Sequence, residues 1–420
     1  MLPFPEVIRI FRVLVVAVLL LLPVSATTAG AAPTVPDWSS AWTTSLYRTD
    51  KLIGPHWQET GFTDHTLRQV VRVSRGGIAA RLVLSNRFGT SPLRITGANL
   101  ARSGGAAAVV PETVRPLTFG HAQAFDVAPG TEVVSDPVVL PVAAFDALAI
   151  TLYLAEAIGP VTQHTQASRT AYRAVGDHRA DSTGAAFTET TRSWYYLSRI
   201  DVANLVPGPA GIVAFGDSIT AGVGSTVDTD NRFPDELAER LAAHGTPRAV
   251  LNAGIGGNRV TVDSTWLGDS ALRRFRRDVL DRSGVSTVII LEGINDIGLS
   301  SGAPEVGEPA VPVDAETLIA GHRDLIGQAR AAGLRVIGAT LLPMKGSPYY
   351  SAATEAERTA VNRWIRTSGE YDVVIDFDLA VADPADPQRL ADAYDSGDHL
   401  HPSDAGYTAM AAAAAAVDLG

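Results

Sequence analysis

The 420-residue chain contains no cysteine. Disulfides and thiol chemistry are therefore excluded, and stability has to come from packing. Positive charge is also in deficit, with 34 Lys and Arg against 45 Asp and Glu and a net charge of −11. That balance argues against nucleic acid or an anionic membrane surface as a partner. The amino-terminal apolar run, Val13 to Val24, falls short of the roughly 20 residues a membrane-spanning helix needs. It follows Arg9 and Arg12 and precedes Ala29-Gly30-Ala31. A basic region, a hydrophobic segment and a small-residue site read as a secretory signal peptide over residues 1–31, cleaved near Ala31 with Ala26 as the alternative. The expectation is a secreted, extracellular protein with no integral membrane span after cleavage.

Hydrophobic residues make up 46% of the chain, enough to build substantial cores. The length exceeds the usual single-domain range and predicts two domains. From Trp38 to about Leu205 the pattern is short and alternating. Thr66–Val73, Ala79–Leu84, Glu132–Val134, Ala147–Tyr153 and Trp194–Leu197 read as strands broken by Gly, Asn and Pro, which predicts a β-sandwich or jelly roll over residues 37–205. Val206-Pro207-Gly208-Pro209 reads as a linker. Beyond it, over residues 208–420, strand patterns near 211–215, 248–252, 286–292, 335–341 and 372–377 alternate with helical patterns near 232–244, 268–280, 314–332, 355–367 and 404–417. Such alternation means βαβ units and a parallel sheet covered on both faces. The Gly-, Pro- and acid-rich stretch 299–313 reads as a long loop near the site.

Chemistry enters where the first of these strands ends. Ile212-Val213-Ala214-Phe215 stops at Gly216-Asp217-Ser218. A serine at the mouth of a buried strand, beside glycines that allow close backbone approach, is a placed nucleophile. A serine nucleophile needs an imidazole to take its proton and a carboxylate to orient that imidazole. Asp398 and His401, three residues apart before the last helical pattern, supply both. Two further stretches, Asn252-Ala253-Gly254-Ile255-Gly256-Gly257-Asn258 and Gly293-Ile294-Asn295-Asp296, also follow strand patterns, where open parallel sheets carry their sites. The N–H groups of Ser218 and Gly257 and the amide of Asn295 are candidate oxyanion donors.

These four stretches, in this order, resemble the SGNH hydrolases, the GDSL-type esterase and lipase superfamily, over roughly residues 208–418. The resemblance maps Ser218, Gly257, Asn295 and His401 onto the four residues of the family's name, with Asp398 three before the histidine. Ile219 stands where the GDSL motif has leucine, and Gly256 rivals Gly257 for the oxyanion role. The resemblance implies a flavodoxin-like three-layer α/β/α fold and hydrolysis of carboxylic esters. More loosely, Ala41-Trp42-Thr43-Thr44-Ser45, Thr66–Arg72 and Leu84-Ser85-Asn86-Arg87-Phe88-Gly89 resemble a secreted bacterial subset with a β-domain in front of the hydrolase, grouped with carbohydrate esterases. This favours deacetylation of a polysaccharide or acetylated sugar. The alternatives are a lipase or broad short-chain carboxylesterase, and a non-catalytic carbohydrate-binding protein on the same fold.

The remaining polar residues have simpler readings. Asp217 is expected to cap the turn that follows it, and Asp296 to orient the N–H groups of its own loop. Asp398, His399 and His401 have ligand chemistry, but no second ligand cluster accompanies them, so neither a metal nor a cofactor is expected. His399 reads as a surface or supporting residue. Trp38, Trp42, Trp57 and Trp194 read as core, with an exposed sugar platform the alternative. Arg273, Arg274, Arg276 and Arg277 read as a solvated helix face. With His401 as base, activity should fall as pH drops through roughly 6–7.

Overall fold

The structure, a computed structural model, describes residues 37–48, 57, 61–157, 159–303 and 308–420. The expected signal peptide lies outside these residues. All sheet strands before residue 205 pair antiparallel. One sheet runs Asp37–Thr43, Leu197–Asn204, Gly77–Ser85, Glu132–Val134, with Val138–Val142 also against Gly77–Ser85. The other is centred on Phe62–Arg72, Ala147–Ala157 and Leu93–Gly105. Leu82, Leu84, Ile200 and Val202 of the first meet Leu67, Leu100, Ile150 and Leu152 of the second in one apolar core, the arrangement of a sandwich.

The period of the sequence changes at Gly211, and so does the architecture. Strands β1 (Gly211–Gly216), β2 (Val250–Gly254), β3 (Val285–Leu291), β4 (Arg335–Ala339) and β5 (Val373–Ile375) form a parallel sheet in the order β2-β1-β3-β4-β5. This is the flavodoxin-like order. Every residue of β1 is buried, as a central parallel strand covered on both faces requires.

The helices are α1 (Ser218–Ala221), α2 (Phe233–Ala243), α3 (Ala271–Phe275), α4 (Ile294–Gly298), α5 (Ala315–Ala331), α6 (Ala352–Thr367), α7 (Phe377–Val381) and α8 (Asp404–Ala415). A right-handed crossover from β1 to β2 runs opposite to those linking β2, β3, β4 and β5, so α2 covers one face of the sheet while α3, α5 and α6 cover the other. Consistently, α2 and α7 pack with α8, whereas α5 packs with α3 and α6.

One expectation is corrected by packing. Arg274 is not on a solvated face but fully buried, and Arg277 is largely buried between Asp269 and Asp278, whereas Arg273 and Arg276 are exposed as expected. Helical spacing puts Asp278 one turn from Arg274, and that buried pairing outweighs the preference of arginine for water. Among the tryptophans, Trp42, Trp57 and Trp194 are buried, with Trp42 and Trp194 edge-to-face at 4.9 Å.

Residues Pro36–Gly420 form one compact unit, and polar bonds join its sandwich to its parallel sheet. Ser40 N–H donates to Ser283 O at 3.0 Å, and the Ser74 hydroxyl both donates to Val250 O and accepts from Val250 N–H, at 3.0 and 3.1 Å. Ser45, in the motif that opens the sandwich, accepts from buried Arg274.

Candidate active site

Strand β1 delivers its last residue, Gly216, into a position where a side chain would collide with Thr220 Oγ1 and Leu291 O. Only glycine lets the chain turn there. Asp217 then caps α1, its carboxylate accepting from Ile219 N–H at 2.9 Å, and Ser218 is the first residue of that helix. Asn252 of β2 holds the far end of α1 through a 2.8 Å bond to Thr220 O.

The carboxyl-terminal segment returns to this point. Asp404 accepts from Thr226 N–H and Asn231, and the Tyr407 hydroxyl donates to Val223 O. That anchorage sets His401 against the serine. The Ser218 hydroxyl lies 2.8 Å from His401 Nε2, and His401 Nδ1 lies 2.5 Å from Asp398 Oδ2. The other Asp398 oxygen accepts from the N–H groups of Leu400 and His401. Burial would raise the Asp398 pKa, but the hydrogen bonds from the His401 ring and these N–H groups win and hold it well below the usual carboxylate range. His399 points elsewhere, to Asp395, and is half exposed.

The candidate oxyanion donors converge from three strand ends. Gly257 has φ +73°, and a Cβ there would meet the Leu267 side chain, whereas Gly256 needs no left-handed backbone. Asn295, one residue into α4, is buried and donates through Nδ2 to Asn258 O at 3.0 Å. Among the described residues, the N–H groups of Ser218 and Gly257 are not engaged by another backbone acceptor. Asp296 accepts not from its own loop, as expected, but from Val260 N–H and Thr261 N–H, fixing the chain after the Gly256-Gly257 turn. Burial pushes its carboxyl up to about 6 despite those bonds.

Beneath the site lies a buried charged cluster. Arg274 donates to Gly216 O (2.7 Å), Ala253 O (2.8 Å), Asn258 Oδ1 (2.7 Å), Asp278 and Glu292 (both 3.1 Å). Burial, with Asp217 nearby, drives Glu292 toward its protonated form, whereas Arg277, Arg274 and Arg282 overcome burial at Asp278 and keep it ionised. Asp278 is thus the anion that balances the buried Arg274. Asp217, fully enclosed, is pushed up to about 7 by burial, with the Ile219 N–H and the charges of His401 and Arg274 pulling the other way.

The loop expected at 299–313 is tied to the site. Glu308 is buried, pairs with buried Arg259 and accepts from Ser264. Three residues at or beneath the site were not singled out for a role there from sequence. Tyr349 donates its hydroxyl to Asn295 Oδ1 at 2.9 Å. Glu292 immediately follows β3, and Gln166 reaches the site from the sandwich. None sits in a motif; for Glu292, a carboxylate closing an apolar strand was the available signal. No group of three or more His, Cys, Asp or Glu able to hold a metal occurs among the described residues.

A serine–histidine–aspartate relay at the carboxyl edge of a parallel sheet defines a serine-hydrolase type of site. Residues 214–409 match the model of the GDSL-like lipase/acylhydrolase family. This part of the chain therefore belongs to the SGNH superfamily, and the protein is a carboxylic ester hydrolase. Among solved structures, it is similar to a GDSL-like lipase from Bacteroides thetaiotaomicron (19% identity, 49% of this chain and 85% of that one, TM-score 0.36). It is also similar to an acetyl xylan esterase (20%, 50% and 100%, TM-score 0.38) and to a carbohydrate acetylesterase family member from Sinorhizobium meliloti (16%, 49% and 96%, TM-score 0.38). No curated protein matches the chain. No helix among the described residues is long and apolar enough to cross a membrane.

Proposed function

We propose that the protein is an exported esterase that removes acetyl groups from a polysaccharide or an acetylated sugar, with Ser218 as nucleophile, His401 as general base and Asp398 as its orienting carboxylate. The observation that carries the mechanism is the continuous relay from Ser218 Oγ through His401 to Asp398 at 2.8 and 2.5 Å. In the first step, Ser218 Oγ bonds to the ester carbonyl carbon while its proton passes to His401 Nε2. The carbonyl oxygen becomes an oxyanion facing Ser218 N–H, Gly257 N–H and Asn295 Nδ2. The C–O bond to the alcohol then breaks, and His401 returns the proton to the departing oxygen. Water attacks the acyl-enzyme by the same route, giving up a proton to His401 and releasing the acid and free Ser218.

Export is supported by the basic and apolar pattern of residues 9–31. The sugar ester is supported by the sequence pattern of the sandwich that precedes the hydrolase. The test is acetate release from acetylated xylan beside hydrolysis of p-nitrophenyl esters from C2 to C12, for the secreted protein and its Ser218→Ala variant. Expected are Ser218-dependent acetate release, a preference for C2, and a kcat lowered at least about 10³-fold in the variant without unfolding. A maximum at C8 or longer would make the enzyme lipase-like. Turnover on no ester would leave only a binding role.

A further inference from the structure

We propose that Gln166, carried by the sandwich, is a specificity residue of the ester site and hydrogen-bonds a hydroxyl on the alcohol portion of the substrate. A Cβ on Gly256 would stand 2.9 Å from Gln166 Oε1. The Gln166 side chain thus lies over the Gly256-Gly257 turn, next to a candidate oxyanion donor. It is half-buried and makes no side-chain hydrogen bond to any described residue.

Its backbone is held under strain. Gln166 and Ser168 have φ of +54° and +48°, conformations costly for residues other than glycine and persistent only where the surroundings impose them. The surroundings here come from the segment between α1 and α2. Arg232 donates to Ala167 O at 3.1 Å, Asp228 N–H to Ser168 O at 3.0 Å, and Thr170 N–H to Asp228 Oδ1 at 2.7 Å. Ser168 Oγ donates to Gly222 O at 3.2 Å, and the N–H of Gly222 donates to Ser218 O. The loop that presents Gln166 is therefore bonded to the turn that holds the candidate nucleophile. A rigid loop presenting a polar side chain without a partner at the edge of a site is a binding element.

The amide decides what can lie there. An apolar chain laid over Gln166 would strip water from its donor and acceptor and return nothing, whereas a hydroxyl satisfies one of them. The favoured substrate is an ester whose alcohol carries further hydroxyl groups close to the ester oxygen, as in a sugar or polyol. This rests on the ester-hydrolysis reading of the Ser218 site but not on xylan as the substrate.

The test compares glycerol monoacetate with propyl acetate, which share the acyl group and chain length and differ in hydroxyls. Gln166→Met keeps the length and unbranched shape, so the left-handed backbone costs no more than before. The kcat/KM ratio of the two esters, read within one preparation, is independent of the active fraction. In wild type the ratio should favour glycerol monoacetate, and in Gln166→Met it should fall roughly 3–10-fold, mainly through KM. A ratio unchanged by the substitution overturns the proposal. So does a wild type that turns over both esters without preference. Failure on acetylated xylan with the ratio effect intact would remove the polysaccharide reading alone. Loss of both esters on Ser218→Ala shows independently that the reaction read is that of this site.

Discussion

The Tyr349 hydroxyl donates to Asn295 Oδ1 at 2.9 Å while Asn295 Nδ2 donates to Asn258 O at 3.0 Å. Both ends of the amide are thereby assigned. One Nδ2 hydrogen is held by Asn258, which leaves the other for the oxyanion role proposed for Asn295. The Tyr349 ring packs so closely on α4 that a Cβ on Gly298 would overlap it, so the phenol has little freedom to leave.

If Tyr349 orients Asn295 in this way, Tyr349→Phe should lower kcat about 10-fold with little change in KM, because the lost interaction matters only once the oxyanion forms. In an Asn295→Ala background the same substitution should have almost no further effect. Kinetics of the two single variants and the double variant check this. Additive losses would show that Tyr349 acts independently of Asn295.

The lesson for sequence reading lies in which residues were visible. The five parallel strands announced themselves as apolar runs and Ser218 as the residue at the end of one, because burial and strand termination leave a local signature, while Asp398 and His401 stood out as an acid and a base three residues apart before the last helical pattern. Arg274 left the opposite signature: four arginines within five residues look like a water-facing stripe, and only the tertiary position of Asp278, Glu292 and the Gly216 carbonyl makes one of them core. Tyr349 and Gln166 act across long sequence separations through single contacts, for which composition and period carry no information. Asp217 was legible because capping the turn that follows it is a local task, whereas the partners of Asp296, 35 and 36 residues away, left no local trace.

The buried Asp217 makes stability pH-dependent. Its carboxyl is pushed up to about 7, above the unfolded value of roughly 3.9, so between these values the native state binds a proton that the unfolded state has lost. Its contribution is therefore full below about pH 4 and is lost as pH rises toward 7. Asp398, shifted down, acts with opposite sign and only below about pH 4. Asp217→Asn keeps a cap for Ile219 without a charge to bury. Urea unfolding should show the two proteins close at pH 4.5 and the variant favoured at pH 8, by up to about 4 kcal/mol for a three-unit shift. An offset that is the same at both pH values would contradict this.

The bonds joining the sandwich to the parallel sheet run through buried residues, including Ser74 to Val250 and Arg274 to Ser45. Calorimetry should therefore show one unfolding transition for residues 36–420. Two well-separated peaks would mean that the regions are energetically independent.

Arg274 makes the sharpest demand on both stability and catalysis. Its guanidinium lies 4.0 Å from the Phe215 ring centroid and ties the carbonyls that end β1 and β2 to the side chain of Asn258. Asn258 in turn holds Asn295. Arg274→Met removes the bonds and leaves Gly216 O, Ala253 O and Glu292 without their buried donor, at a cost of about 3–5 kcal/mol in urea unfolding. Arg274→Lys keeps the charge that balances Asp278 but cannot fork to several acceptors at once. It should recover part of the stability while kcat stays depressed, because the Asn258 turn is no longer held. If the lysine variant restores stability and kcat together, the arginine serves only as a buried counter-charge; if the methionine variant is as stable as wild type, the cluster contributes nothing that packing cannot replace.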